Sequence, residues 1–125
     1  MDRTNSVTLE TSPAFSPENA SYDAMIQEIL RDYAEFGQVE GVEDELVFDE
    51  KRRRYLLFLR GWHRNESVYG VFIHAAVKDG KIWIHHDGTE EGIASRLLKW
   101  GVPHDHIVLA WLPRELRELG EFAVE

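Results

Sequence analysis

Val68-Tyr69-Gly70-Val71-Phe72-Ile73-His74-Ala75-Ala76-Val77-Lys78-Asp79-Gly80-Lys81-Ile82-Trp83-Ile84-His85-His86-Asp87 is the stretch whose reading decides the fold. Asp79-Gly80 readily supplies the two positive φ values of a type I′ turn, and the flanking runs are rich in β-branched and aromatic residues, so a β-hairpin is expected. A two-residue turn fixes the register, with Val77 opposite Ile82, Ala76 opposite Trp83, Ala75 opposite Ile84 and His74 opposite His85. Because side chains alternate, Ile73, Ala75, Val77, Ile82 and Ile84 form one apolar face that meets the core. Phe72, His74, Ala76, Trp83, His85 and Asp87 share the other.

Upstream, Leu46-Val47-Phe48 and Tyr55-Leu56-Leu57-Phe58-Leu59 read as two more strands around a charged turn from Asp49 to Arg53, with Trp62 ending the second. Before them, Tyr22, Met25, Ile26, Ile29, Leu30, Tyr33 and Phe36 recur at the spacing of one helical face over residues 19–36. Asn19 or Ser21 can cap that helix, and a left-handed Gly37 can end it. Downstream, Thr89 can cap a second helix striped by Ile93, Ala94, Leu97 and Leu98, with Gly101 and Pro103 closing it. Ile107 to Trp111 reads as a last short strand, and Arg114 to Leu119 as one or two helical turns. The expected fold is α+β: an N-terminal helix, an antiparallel sheet of about four to five strands in hairpin order, and a helix after the sheet. Residues 1–18 read as a flexible extension and 19–125 as a single domain.

The 125 residues suit one hydrophobic core. The absence of cysteine excludes disulfides, thiolate metal sites and a thiol nucleophile, and suits a reducing cytoplasm. No apolar run approaches membrane-spanning length. Fourteen basic against 23 acidic residues give a formal charge of −9, which removes the electrostatic term that normally carries nucleic-acid affinity. Lys51-Arg52-Arg53-Arg54 is the local exception, either a solvated turn or a place for a phosphate or an acidic partner.

Several short motifs in one order resemble the XisI family of fdxN element excision controlling factors. They are Val68-Tyr69-Gly70, Ile73-His74, Asp79-Gly80-Lys81-Ile82-Trp83-Ile84, Thr89-Glu90, Ile93-Ala94, Gly101-Val102-Pro103, Asp105, Ile107-Val108-Leu109 and Phe122-Ala123-Val124. Tyr33-Ala34 and Val47-Phe48-Asp49 extend the likeness over roughly residues 20–125. The resemblance implies an accessory role in developmentally programmed DNA excision in filamentous cyanobacteria. It also implies a second protein, XisH, which looks like a nuclease-fold protein. It carries no catalytic residues. The chain departs from the pattern where His-x-Asp is expected, reading His74-Ala75-Ala76, and at His85-His86 after the Ile-Trp-Ile strand.

Two functional readings follow from the residues. In the first, Phe72, His74, Trp83 and His85, with Trp62 and Trp111, are candidates for a surface that meets a XisH-like partner or a second copy of the chain. This reading needs no catalysis, cofactor, membrane or direct nucleic-acid contact. In the second, the hairpin register gathers His74, His85 and Asp87, suitable ligands for zinc or iron, and His104 or His106 could complete a catalytic metal shell. The plainer view makes His74 a hydrogen-bonded histidine and His85 a surface one, with Glu90-Glu91 favouring a helix dipole.

Overall fold

The computed structural model describes residues 15–125. Helix α1 spans Tyr22–Phe36, followed by strands β1 (Val42–Asp49), β2 (Arg54–His63), β3 (Glu66–Lys78) and β4 (Lys81–Asp87). Helix α2 (Ile93–Lys99), strand β5 (Ile107–Leu109) and a single turn of helix, α3 (Arg114–Arg117), complete the chain. The five strands form one sheet in the order β1-β2-β3-β4-β5. The first four make the expected antiparallel meander, but β5 runs parallel to β4. The expected all-antiparallel sheet is thus corrected at its last strand. Helix α2 carries the chain back to the starting end of β4, as a parallel pair requires.

Local chemistry explains these elements. The Ser21 hydroxyl accepts a hydrogen bond from the Ala24 amide at 3.0 Å, which selects Ser21 as the cap of α1. At the other end Gly37 has φ −96°, so it is not left-handed as expected. A Cβ there would stand 2.7 Å from the Tyr33 carbonyl oxygen, and this close approach accounts for the glycine. Asp79 and Gly80 have φ of 54° and 75°, as the type I′ turn demands, and Arg64-Asn65 uses the same device between β2 and β3 at 51° and 65°.

One apolar layer joins the sheet to the helices. Met25, Ile26, Ile29, Leu30 and Tyr33 of α1 are buried against Tyr55, Leu57, Ile73, Ala75, Val77, Ile82 and Ile84, with Ile93 and Leu97 of α2 closing the layer. Truncating Ile29, which is wholly buried, to alanine costs about 2–5 kcal/mol. Asp32 and Arg96 form an ion pair at 2.8 Å with side chains only 6% and 9% exposed, tying α1 to α2. Phe15 packs on Trp100, ring centroids 5.1 Å apart, so the packed domain begins before the boundary expected at residue 19. The remainder of the expected extension, residues 1–14, lies outside the described residues. No helix among the described residues is long and apolar enough to cross a membrane.

Two bulges reset the register. Along β3, Leu57 faces Ile73 and Phe58 faces Val71, leaving Phe72 unopposed by β2. Between β3 and β4 the expected pairs Val77–Ile82, Ala76–Trp83 and Ala75–Ile84 all form, but His74 then faces His86 and Ile73 faces Asp87. His85 is the extra residue. The expected His74–His85 pair is therefore wrong by one position, because a bulge sets two residues of one strand against one of the other and switches the side of everything beyond it.

Candidate functional site

The sheet face turned away from α1 has two ends of different chemistry. Strand alternation from the buried Tyr55 and Leu57 puts Leu56, Phe58, Arg60 and Trp62 on this face, and the register adds Val47, Glu45 and Glu43 from β1 and Val71, Tyr69 and Ser67 from β3. Trp62 is 65% exposed, Tyr69 78% and Val47 48%. Phe58 and Tyr69 meet edge to face with centroids 4.9 Å apart. Arg60, between Phe58 and Trp62 on β2 and opposite Tyr69, spans Glu43 and Glu45 at 2.7 Å each, so an ion-paired group sits among the aromatic side chains.

The other end holds Arg54, Ala76 and Trp83, aligned across β2, β3 and β4, with His74 and His85 one step along. The two imidazole centroids lie 4.7 Å apart with their planes at 42°. Both imidazoles are held below the ordinary value: His74 by burial and then by His85 and Arg54, and His85 by burial and then by Arg54, Arg117 and Lys78. Every charge acting on them is positive. His74 Nε2 is buried and has no hydrogen-bond partner, so the expected hydrogen-bonded histidine is not formed at that nitrogen.

The third member of the expected metal triad is elsewhere. Past the bulge, Asp87 shares its side with the core residue Ile73, and its carboxylate accepts hydrogen bonds from the Thr89 amide and hydroxyl and from the Ile93 amide, at 2.9, 2.6 and 2.7 Å. Thr89 Oγ1 in turn accepts from the Gly92 amide at 2.9 Å. Asp87 thus organises the entry to α2. His106 Nδ1 pairs with the Tyr22 hydroxyl at 2.6 Å and His104 lies against the Phe122 ring, so neither completes a shell with His74 and His85. No group of three or more potential metal ligands occurs among the described residues.

Phe72 is also corrected. Its bulge turns it to the helix side, where it meets Tyr33 edge to face at 6.3 Å and crowds Gly88, at which a Cβ would stand 2.7 Å from the ring. There it helps line a cavity of about 730 Å³ with Tyr33, Phe36, Leu57 and Leu59, a space the strand patterns did not announce. Tyr33 donates its hydroxyl to Glu91 at 2.8 Å, and burial together with that carboxylate pushes its pKa far up. Glu90 and Glu91 precede α2 and rim this cavity instead of lying in the helix's first turn.

The remaining candidates divide clearly. Trp83 is half-buried, its indole donating to the Lys78 carbonyl at 3.2 Å while the Lys78 ammonium sits 5.1 Å above the ring. Trp111 is 53% exposed but follows β5, three strands from β2, which is roughly 14 Å at normal ladder spacing. In the basic run, Arg52 pairs with Asp49 at 3.0 Å and Arg53 with Asp23 at 2.6 Å, where Tyr55 also donates. Arg53 first, then Tyr55, holds the Asp23 carboxyl below its ordinary value. Arg54 has no ion-pair partner among the described residues.

Comparison with known proteins completes the site. The family model described as XisI protein matches residues 18–124. A XisI-like protein from Anabaena variabilis ATCC 29413, known from a crystal structure, has 30% identity and a TM-score of 0.76, over 83% of this chain and 96% of that one. The crystal structure of fdxN element excision controlling factor XisI from the same organism has 33% identity and a TM-score of 0.72, with the same coverage. None of the curated proteins compared matches the chain. With the family model and both folds in agreement over most of its length, the chain belongs to the XisI family.

Proposed function

We propose that this protein is a non-catalytic, cytoplasmic accessory factor controlling excision of a DNA element, and that it works by binding a XisH-like protein through the aromatic end of the outer sheet face. The observation that carries this reading is the pair Trp62 and Tyr69, two aromatic side chains within strands that remain 65% and 78% exposed. Large exposed aromatics on a rigid sheet are the usual anchors of protein interfaces. The family relation supports the biological setting, since one similar structure is an fdxN element excision controlling factor. Charge supports the partner's chemistry. A net charge of −9, with Glu43 and Glu45 beside the aromatic group, steers a basic protein surface toward it and repels a phosphate backbone. In that complex the acidic domain occupies the groove where the partner would otherwise hold DNA.

Co-expression with a XisH-like protein and affinity capture test this reading. Stoichiometric capture, lost in Trp62→Asp with the thermal midpoint retained, is expected. Capture that survives both Trp62→Asp and Tyr69→Asp, or capture with no effect on the partner's DNA binding, overturns it.

A further inference from the structure

At the other end of the same face, a pocket of about 180 Å³ is lined by Arg52, Arg54, Lys78, Trp83 and His85 together with Ala76 and Val77. It is smaller than the roughly 300–1,000 Å³ typical of sites that enclose a whole small molecule. Its content is therefore one compact group. The polar lining side chains come from the turn before β2, the start of β2, the end of β3 and β4, so the cations Arg52, Arg54 and Lys78 and the His85 imidazole are brought together by three strands. Arg52 is shared with Asp49, whereas Arg54 and Lys78 have no ion-pair partner among the described residues. Behind His85 lies His74, whose buried Nε2 has no hydrogen-bond partner.

Such an arrangement is costly in an empty protein, because like charges are gathered with a shielded nitrogen left unsatisfied. It is the more unusual in a chain of formal charge −9. An anion relieves the first of these costs, the gathered positive charge; His74 stands behind the lining rather than in it. A carboxylate is served by one bidentate arginine, while a phosphate presents three oxygens and rewards donors spread around it. We infer that this pocket, formed by Arg54, Lys78, Trp83 and His85, binds a single phosphate group, either free or as a phosphate monoester. The site is independent of the aromatic end and of the partner-binding reading. Arg54 and Lys78 supply charge, His85 supplies a ring nitrogen, and Trp83 supplies a flat apolar wall.

Titration of the histidine ring resonances of the intact protein with inorganic phosphate tests the inference, with chloride and acetate at matched ionic strength as references. A saturable shift of the His85 signals with phosphate alone is expected. Arg54→Glu should weaken that response roughly tenfold to a hundredfold, the range for losing a charge-assisted hydrogen bond and reversing its charge. Arg64→Glu, the same charge change in the β2–β3 turn, should alter it less than about twofold. A nucleoside monophosphate distinguishes the source: tighter binding than phosphate assigns an ester, equal binding the free ion, and both sustain the site. No phosphate-specific shift, the same response to acetate, or equal weakening by the two variants overturns it. Circular dichroism of each variant verifies that the fold is intact.

Discussion

The two ends of the outer sheet face share strands β2 and β3, yet one is aromatic and exposed and the other cationic, with exposed Arg54 and Lys78 around half-buried Trp83 and His85. Trp62 and Arg54 lie eight residues apart on the same side of β2, about 26 Å at a normal strand rise. What separates them is the pair of bulges at Phe72 and His85. The first moves Phe72 from the outer face to the cavity. The second leaves His85 on the outer face, as expected, and withdraws Asp87, the one carboxylate that alternation placed beside the imidazoles. The lesson is that a one-residue irregularity decides the charge of a surface that the sequence pattern alone makes neutral and metal-like.

The largest expected effect comes from breaking the device that withdraws Asp87. Asp87→Ala removes the acceptor of three hydrogen bonds at the entry to α2 and should destabilise the domain by roughly 2–4 kcal/mol in chemical denaturation. An unchanged midpoint would return Asp87 to the outer face. Next is the aromatic end. Trp62→Ala should weaken partner capture by about 2 kcal/mol, near thirtyfold, while shifting stability by less than about 0.5 kcal/mol, because the side chain is mostly in water. Equal losses in binding and stability would make Trp62 a folding residue.

Smaller still is the pH response of the cationic end. His74 and His85 titrate below the ordinary 6.5 in the folded state, so near that pH the unfolded chain binds more protons. Their contribution is complete above about 6.5 and is lost as pH falls through the depressed folded values. Denaturation midpoints measured from pH 8 to 5 should therefore decline, and His74→Phe should flatten that decline. The smallest effect concerns Lys78, whose ammonium lies over an indole at a largely exposed site. Lys78→Gln should change stability by no more than about 1 kcal/mol, seen as a small midpoint shift that high salt reduces.

Much of this was legible in advance where local chemistry and tertiary structure agree. The Asp79-Gly80 turn, the three pairs nearest it, the α1 stripe and the five-residue core face of the hairpin all follow from period and turn type. The bulges were not, because no residue in Val71-Phe72-Ile73 or Ile84-His85-His86 demands one by its backbone preference. Their cause lies between strands. The same limit hid the parallel β5, whose direction depends on how α2 returns across the sheet, and the cavity beside Tyr33, which joins residues from α1, β2, β3 and the loop after β4. Trp62 could be picked out as an interface candidate because an aromatic residue ending an amphipathic strand has only two sides to choose from.

The C-terminal segment has one more consequence. Ala123 bridges Val108 in parallel and donates its amide to the Ile107 carbonyl at 2.9 Å, while Arg114 holds the Glu125 carboxylate at 2.8 Å. The outer edge of β5 is thus partly covered, at Val108 and the Ile107 carbonyl. At the opposite margin β1 has no further strand beside it among the described residues, and Glu43, Asp44 and Glu45 make it a poor match for its own copy. With one margin partly covered at Ala123 and the other lined by carboxylates, both edges of the described sheet oppose the strand addition by which sheets join into fibres.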